Sequence, residues 1–486
     1  MNAIYMKRIC LTTLLVAGTL LSFGQTRTGY FMKNTPQRYS INPAQAPEKG
    51  YLGIILGGMD IEYNSNSSLF TAEQLIYNDA TTGKKYMFYN APASTGFSSA
   101  KFLNGIEDDN IISTNIGMNL LNIGFWTKVG FFSLDINFKT SMNMSVSKGL
   151  FAFMLDGMDE TGAPSSYNFG MRSTMASYLE TALGFSRPIN EEWSVGGKLK
   201  FYNGLAAYDL NYDNINATLS GDKWLITTQG TVDVAMSGAT FEVDEKGTVN
   251  SDGNYPVDGV KNDGFKPSGF GLGVDLGVEY KPKALEDLTL SFAVNDLGFI
   301  NWSKSNVISA DSKGTFEHDG FENILNNNND GKSVKDQISD MGDDLKDVFL
   351  PYEAESRSMS TGLTTKVHLG GEYDFFQKRL TLGLLSSTYI NEIRTIQEIT
   401  TAATYTPAKW FSLTGSYSWV NSGFKTFGWA LSLNPNSGSR FFIASDYMIG
   451  NINPQGLPIS GKNMNLSMGI SIVLGANKNN IEAFKF

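Results

Sequence analysis

Residues Phe132–Ser147, FSLDINFKTSMNMSVS, alternate apolar and polar side chains for sixteen residues. Phe132, Leu134, Ile136, Phe138, Met142, Met144 and Val146 share one parity, with Thr140 the only polar member. Ser133, Asp135, Asn137, Lys139, Ser141, Asn143, Ser145 and Ser147 hold the other. A period of two sends the sets to opposite faces of a β-strand. Strands in soluble proteins run about 5–6 residues, so a two-faced strand of this length already narrows the architecture.

The pattern recurs at 268–281, 364–376, 411–420 and 464–475. Along the chain it predicts fourteen strands, near 51–63, 113–127, 132–147, 173–186, 193–205, 268–281, 288–302, 364–376, 380–392, 397–408, 411–420, 425–434, 440–449 and 464–475. Every second connection is a tight turn. The long ones, 64–112, 148–172, 206–267 and 303–363, all fall between an odd strand and its successor. Outer-membrane barrels have this asymmetry, with short periplasmic turns and long outer loops, and an even strand count. A soluble propeller or sandwich has no reason to segregate its loops so cleanly. The expected fold is therefore all-β: a single transmembrane antiparallel barrel of about 14 strands, closed because lipid leaves no partner for a free sheet edge. The segment 206–267 reads as an extracellular hairpin, and the count becomes sixteen if that hairpin joins the wall. Trp126, Trp193 and Trp410 stand beside short turns, where a periplasmic aromatic girdle is expected. Short helices are expected in the outer loops, over Leu150–Leu155 and over 333–350, where Val334, Ile338, Met341, Leu345 and Val348 line one face.

Composition fits export and β-structure. Gly 50 and Pro 14, with 32 Phe and 21 Tyr, favour aromatic-rich sheet over helix bundles. Lys7 and Arg8 precede an apolar run from Ile9 to Phe23, and Ser22 and Gly24 provide small residues for cleavage before Gln25. Residues 1–24 thus read as a signal peptide of the general secretory pathway, with the outer membrane as destination. The formal charge of −10 becomes −12 without the two cations of that segment, which disfavours nucleic acid as a partner. The single cysteine, Cys10, excludes an internal disulfide. The expected segmentation is signal peptide 1–24, an N-terminal periplasmic or plug segment 25–48, barrel 49–475 and a C-terminal tail 476–486.

After the signal comes TGYFMKNTPQRYSINPAQAPEKGYLGI. The run Arg38–Ala44, leading to Gly50 and Tyr51, resembles the opening of a Bacteroidota outer-membrane family known only as a domain of unknown function. SYLETALGFSRPI (177–189), VGGKLKFYNGLA (195–206), VNDLGFINW (294–302), HLGGEYDFFQKRLTLGLLSSTYI (368–390), TYTPAKWFSLTGSYS (404–418) and FGWALSLNP (427–435) extend the likeness over nearly the whole mature chain. That family in turn resembles the long-chain fatty-acid transporter type of fourteen-stranded barrel and its secretion-associated relatives. The resemblance implies a lumenal hatch carrying Asn42, Pro43 and Ala44. Read from the residues alone, the same triplet also fits a tight turn before the first strand. One departure is the C-terminus: many outer-membrane barrels end their last strand on an aromatic residue, whereas here that strand finishes near Leu474 and Phe486 closes a tail.

The polar parity of the strands places Asp135, Lys139, Glu180, Lys198, Lys200, Asp275, Glu279, Lys366, His368, Glu372 and Asp374 toward the lumen. They would either tune permeation through a polar pore or pair with one another in a mostly closed interior. Asn326–Gln337 resembles a calcium loop but lacks Asp at its first position and Glu at its twelfth. GFGLGVDLG lacks the third glycine of a dinucleotide fingerprint. His368 has Glu372 on its face but no serine in register, so no catalytic triad is expected. No enzyme activity, metal or cofactor is expected. The expected function is a gated passive channel or transporter for hydrophobic or small solutes. The alternative is a non-catalytic accessory barrel of a secretion, assembly or surface-lipoprotein complex. The expected partners are outer-membrane lipid and, according to which reading holds, a hydrophobic ligand or such a machinery.

Overall fold

The computed structural model describes residues 27–54, 58–159, 161–262, 264, 266–319, 347–420, 424–435, 438–447 and 463–477. The calcium-like loop, Cys10, Phe486 and nearly all of the expected helix at 333–350 lie outside the described residues. Fourteen strands form the wall: β1 (Lys49–Ile54 and Met59–Ser65), β2 (Asp109–Trp126), β3 (Phe131–Ser147), β4 (Ser165–Pro188), β5 (Trp193–Leu219), β6 (Gly269–Tyr280), β7 (Leu288–Trp302), β8 (Thr365–Phe375), β9 (Leu380–Ile390), β10 (Thr395–Ala408), β11 (Phe411–Val420), β12 (Phe424–Leu433), β13 (Ser439–Ser445) and β14 (Asn463–Asn477). Neighbours pair antiparallel throughout. β14 closes the circuit on β1 through Gly50↔Leu474 and Met59↔Met468. Closure removes both sheet edges, so every stave finds backbone partners on either side.

The hairpin within 206–267 does not enter that circuit. β5 pairs directly with β6 along Trp193–Gly204, and only its upper part, Ala206–Leu219, pairs with Trp224–Met236. That strand pairs with Val307–His318, building a second tier above the wall. The circuit therefore stays at fourteen rather than sixteen staves.

The outward face is apolar. Leu183, Leu199, Phe270, Leu276, Leu297, Leu369 and Phe427 are all exposed, Leu369 at 61%. The inward face carries buried charge, the inverse of a soluble barrel and the pattern of a lipid-embedded one. Two expectations about this face need correction. Met144 and Val146 do not face lipid, because the loop after β1 and the helix Lys148–Asp156 fold over them. There Phe88 stacks on Phe102 at 4.6 Å, with Phe151 beside them. Nor does Trp126 join the girdle with the exposed Trp193 and Trp410. A bulge between Asn119 and Leu121 shifts the parity of β2, and Trp126 turns inward to donate to the carbonyl of Pro47 at 2.9 Å. A strand carrying one extra residue exchanges its faces beyond that point.

Candidate functional site

Residues 27–47 run inside the barrel. Arg27–Phe31 form a 3₁₀ turn and Pro36–Ile41 a short helix, α1. Pro36 suits the first helical position, where its missing N–H costs nothing. Thr35 caps the helix, accepting from the Arg38 N–H at 3.4 Å. Asn42 ends it: its side-chain oxygen accepts from the Ala44 N–H at 2.9 Å, a local Asx turn. Its amide nitrogen reaches the carbonyls of Val278 on β6 and Phe292 on β7, at 3.3 and 3.4 Å. Asn42, Pro43 and Ala44 are all buried. The triplet is thus both a tight turn and a lumenal contact.

Charge fastens the segment at three levels. Toward the long-loop end, the Arg27 guanidinium lies 2.7 Å from Glu62, 2.9 Å from Glu398 and 3.4 Å from Asp446. Midway, Arg38 makes a bidentate pair with Glu372. At the short-turn end, Lys33 pairs with Asp374 and Gln45 donates to Glu279 at 3.1 Å. Tyr30 bonds to Ser291 at 2.7 Å and Tyr39 to Ser133 at 3.1 Å. Burial pushes both phenols up to about 12, so they act as neutral hydrogen-bonding groups. Inward glycines provide the room. A Cβ at Gly370 would sit 2.2 Å from the Tyr30 oxygen, one at Gly196 2.0 Å from the Pro43 carbonyl, and one at Gly277 2.2 Å from the Asn42 side chain.

Above the segment lies a second charge group. Lys200 contacts Asp296 at 2.5 Å, Asp275 at 2.7 Å and Glu180 at 3.6 Å. Lys139 contacts Glu180 at 2.7 Å, and Lys366 contacts Asp296 at 3.2 Å. Lys198 pairs separately with Asp135 at 2.9 Å. His368 is buried and bonds through Nδ1 to Ser387 at 2.9 Å, while its neighbour Glu372 is taken by Arg38. Sequence reading passed over Asp296. It sits in a bulge of β7, with φ of 56°, and its N–H donates to Asp275 at 2.7 Å. Simple alternation cannot place such a residue, although Asp is one of the few non-glycine residues that tolerate the positive φ taken here. The sequence reading also passed over Asp60, Glu62, Glu398 and Asp446, and over the cations of the inner segment. Parity could have supplied Glu62 and Glu398.

Two cavities share this lumen. The lower, about 110 Å³, lies beside α1 and is walled by β1–β7 with Phe442 of β13 and Ser467 of β14. The upper, about 140 Å³, opens toward the long loops and is bordered by Tyr178, Tyr208 and Tyr389. Asp60, Gly117, Lys139 and Asp296 border both.

A family profile, the family of unknown function DUF5723, matches residues 43–446. The chain belongs to this family. Comparison with curated proteins gives no match. Among solved structures, this DUF5723 chain is similar to a Pseudomonas aeruginosa FadL homologue, at 11% identity and a TM-score of 0.39 over 94% of this chain and 99% of that one. It is also similar to the Ralstonia pickettii toluene transporter TbuX, at 8% identity and 0.33 over 94% and 95%. The Pseudomonas putida toluene transporter TodX gives 10% and 0.33 over 94% of both. Its own closed circuit, apolar exterior and charged interior make this DUF5723 protein an outer-membrane β-barrel.

Proposed function

We propose that this barrel is a gated passive channel for hydrophobic or small solutes, with residues 25–48 as its plug and residues 1–24 as the export signal of the secretory pathway. The observation that carries the reading is a pair of cavities, one beside the segment and one above it, with the segment held to the wall by ion pairs and small apolar clusters. Ion pairs and hydrogen bonds can exchange for contacts with water when the segment moves, so undocking it would join the two cavities into a passage. The bonds of Arg27, Lys33 and Arg38 set the closed state. Their partners on β1, β8, β10 and beside β13 remain on the rigid wall when the segment moves.

The test is solute entry into liposomes, followed by light scattering. Protein lacking residues 25–48 is expected to admit small solutes that the intact protein excludes. Equal swelling rates for the two proteins would remove the reading.

A second reading draws on the outer loops, which fold into tiers with their own aromatic cores. It makes the barrel an accessory subunit of a secretion, assembly or surface-lipoprotein complex. Crosslinking on intact cells followed by purification would recover a stoichiometric partner. Recovery of the barrel alone would dismiss it.

A further inference from the structure

The rim at the short-turn end is not uniform. The turns 189–192 and 281–287, INEE and KPKALED, hold Lys281 and Lys283 against Glu191, Glu192, Glu286 and Asp287. Both lysines are engaged, Lys281 with Glu279 at 2.6 Å and Lys283 with Glu191 at 3.1 Å. The next three turns, 376–379, 409–410 and 434–438, read FQKR, KW and NPNSG. They hold Lys378, Arg379 and Lys409 and no carboxylate. All three cations are exposed, and their side chains make no ion pair or hydrogen bond among the described residues. The carboxylate that precedes them, Asp374, points inward, where Lys33 and Thr381 hold it. Backbone hydrogen bonds join the three turns into one arc: the Thr406 N–H donates to the Arg379 carbonyl at 2.8 Å, and the Asn434 N–H to the Trp410 carbonyl at 2.7 Å.

Aromatic rings flank these cations. Phe376 is 74% exposed, the most exposed large apolar side chain among the described residues, and Trp410 and Tyr405 stand at 56% and 54%. The Phe375 ring lies 4.8 Å from Tyr373 and 6.4 Å from Phe376. Tyr373 and Phe375 share the outward face of β8 with Leu369, so the patch continues the lipid-facing wall. The turn that presents Phe376 is strained. Phe376, Gln377 and Lys378 take φ of 51°, 56° and 68° in succession, a left-handed run that residues with a Cβ seldom adopt. Glycine would hold that backbone freely, as Gly438 does at φ of 90° in the turn 434–438. What the strained turn gains is its side chains, an aromatic ring and a cation among them.

We propose that this arc, from β8 to β13, binds the headgroup of an anionic phospholipid in the periplasmic leaflet. Its parts follow the order of depth at the boundary between acyl chains and phosphates: apolar strand positions, then aromatic rings, then cations. Lys and Arg at that level lay their stems along apolar surface and reach the phosphates with their charged ends. A zwitterionic headgroup brings its own ammonium to the phosphate, so three unpaired cations favour a lipid of net negative charge. The arc of turns 189–192 and 281–287, whose lysines are engaged with carboxylates, has no such preference. The inference concerns the outer surface of the wall and does not rest on the channel reading.

The experiment is native mass spectrometry of the intact, detergent-solubilised protein, titrated with phosphatidylglycerol or with phosphatidylcholine of the same acyl chains. The first phosphatidylglycerol is expected to bind about tenfold more tightly than the first phosphatidylcholine, because each cation near a membrane surface contributes roughly a fivefold factor. The triple variant Lys378→Gln, Arg379→Gln, Lys409→Gln should lose that preference. The double variant Lys281→Gln, Lys283→Gln, on the other arc, should keep it. Heat-modifiable migration checks that both variant barrels are closed. Equal affinity for the two lipids in the intact protein, a readout that needs no variant, would overturn the proposal and leave the arc to a periplasmic protein. A preference that survives in the closed triple variant would overturn it as well, as would one lost equally in the double variant.

Discussion

The two sides of the lumen differ in how they meet the inner segment. Against β5–β10, the segment is matched group for group: Arg38 to Glu372, Tyr30 to Ser291, Asn42 to two wall carbonyls, and Pro43 to the hollow over Gly196 and Gly277. Against β1–β3 it is held by Arg27 on Glu62 toward the long-loop end and by Tyr39 and Pro47 toward the short-turn end, and it leaves the lower cavity between them. One side behaves as an interface and the other as a chamber. Filling a barrel and packing a barrel are therefore separate achievements, and only the packed side can set how firmly the segment is held.

That contrast can be broken from the packed side first. Arg38→Ala leaves Glu372 buried without its cation and should weaken docking of the segment by about 3–5 kcal/mol. Limited proteolysis would then cut within residues 27–47 at rates that leave the intact protein whole. Gly196→Ala forces a methyl against the Pro43 carbonyl and should cost about 1–3 kcal/mol of the same docking, read by the same cleavage. Asn42→Ala removes the Asx turn together with two long hydrogen bonds, a loss of about 1 kcal/mol, and should raise cleavage modestly. On the chamber side, Asn122→Leu gives up no protein hydrogen bond from its unpaired oxygen. It should shift the heat-modifiable transition little, within about 1 kcal/mol. A large destabilisation there would erase the distinction between the two sides.

The wall was legible because its determinants are local. Alternation assigns Leu369 and Lys366 to opposite faces, and loop lengths reveal which end each strand starts from. What alternation could not show is where the period slips. Trp126 reverses face because of one extra residue in β2, and Asp296 reaches the charge group because of a bulge in β7. Loop cores were equally hidden: Met144 and Val146 look lipid-facing until Phe88 and Phe151 cover them. Partner choice was least legible of all. Glu372 stands two inward positions from His368 in sequence, yet its cation is Arg38, which reaches it across 334 positions of chain. The glycines at 196, 277 and 370 record the segment's shape, but they can be read that way only once the segment is in place.

The central claim is that docking of residues 27–47 controls passage through the lumen. Single-channel recording of the intact protein and Arg38→Ala, side by side in planar bilayers, tests it most directly. The account predicts a predominantly closed intact protein and an Arg38→Ala variant that spends at least tenfold more time open, following from the docking energy lost. Equal open fractions in the two proteins would contradict it.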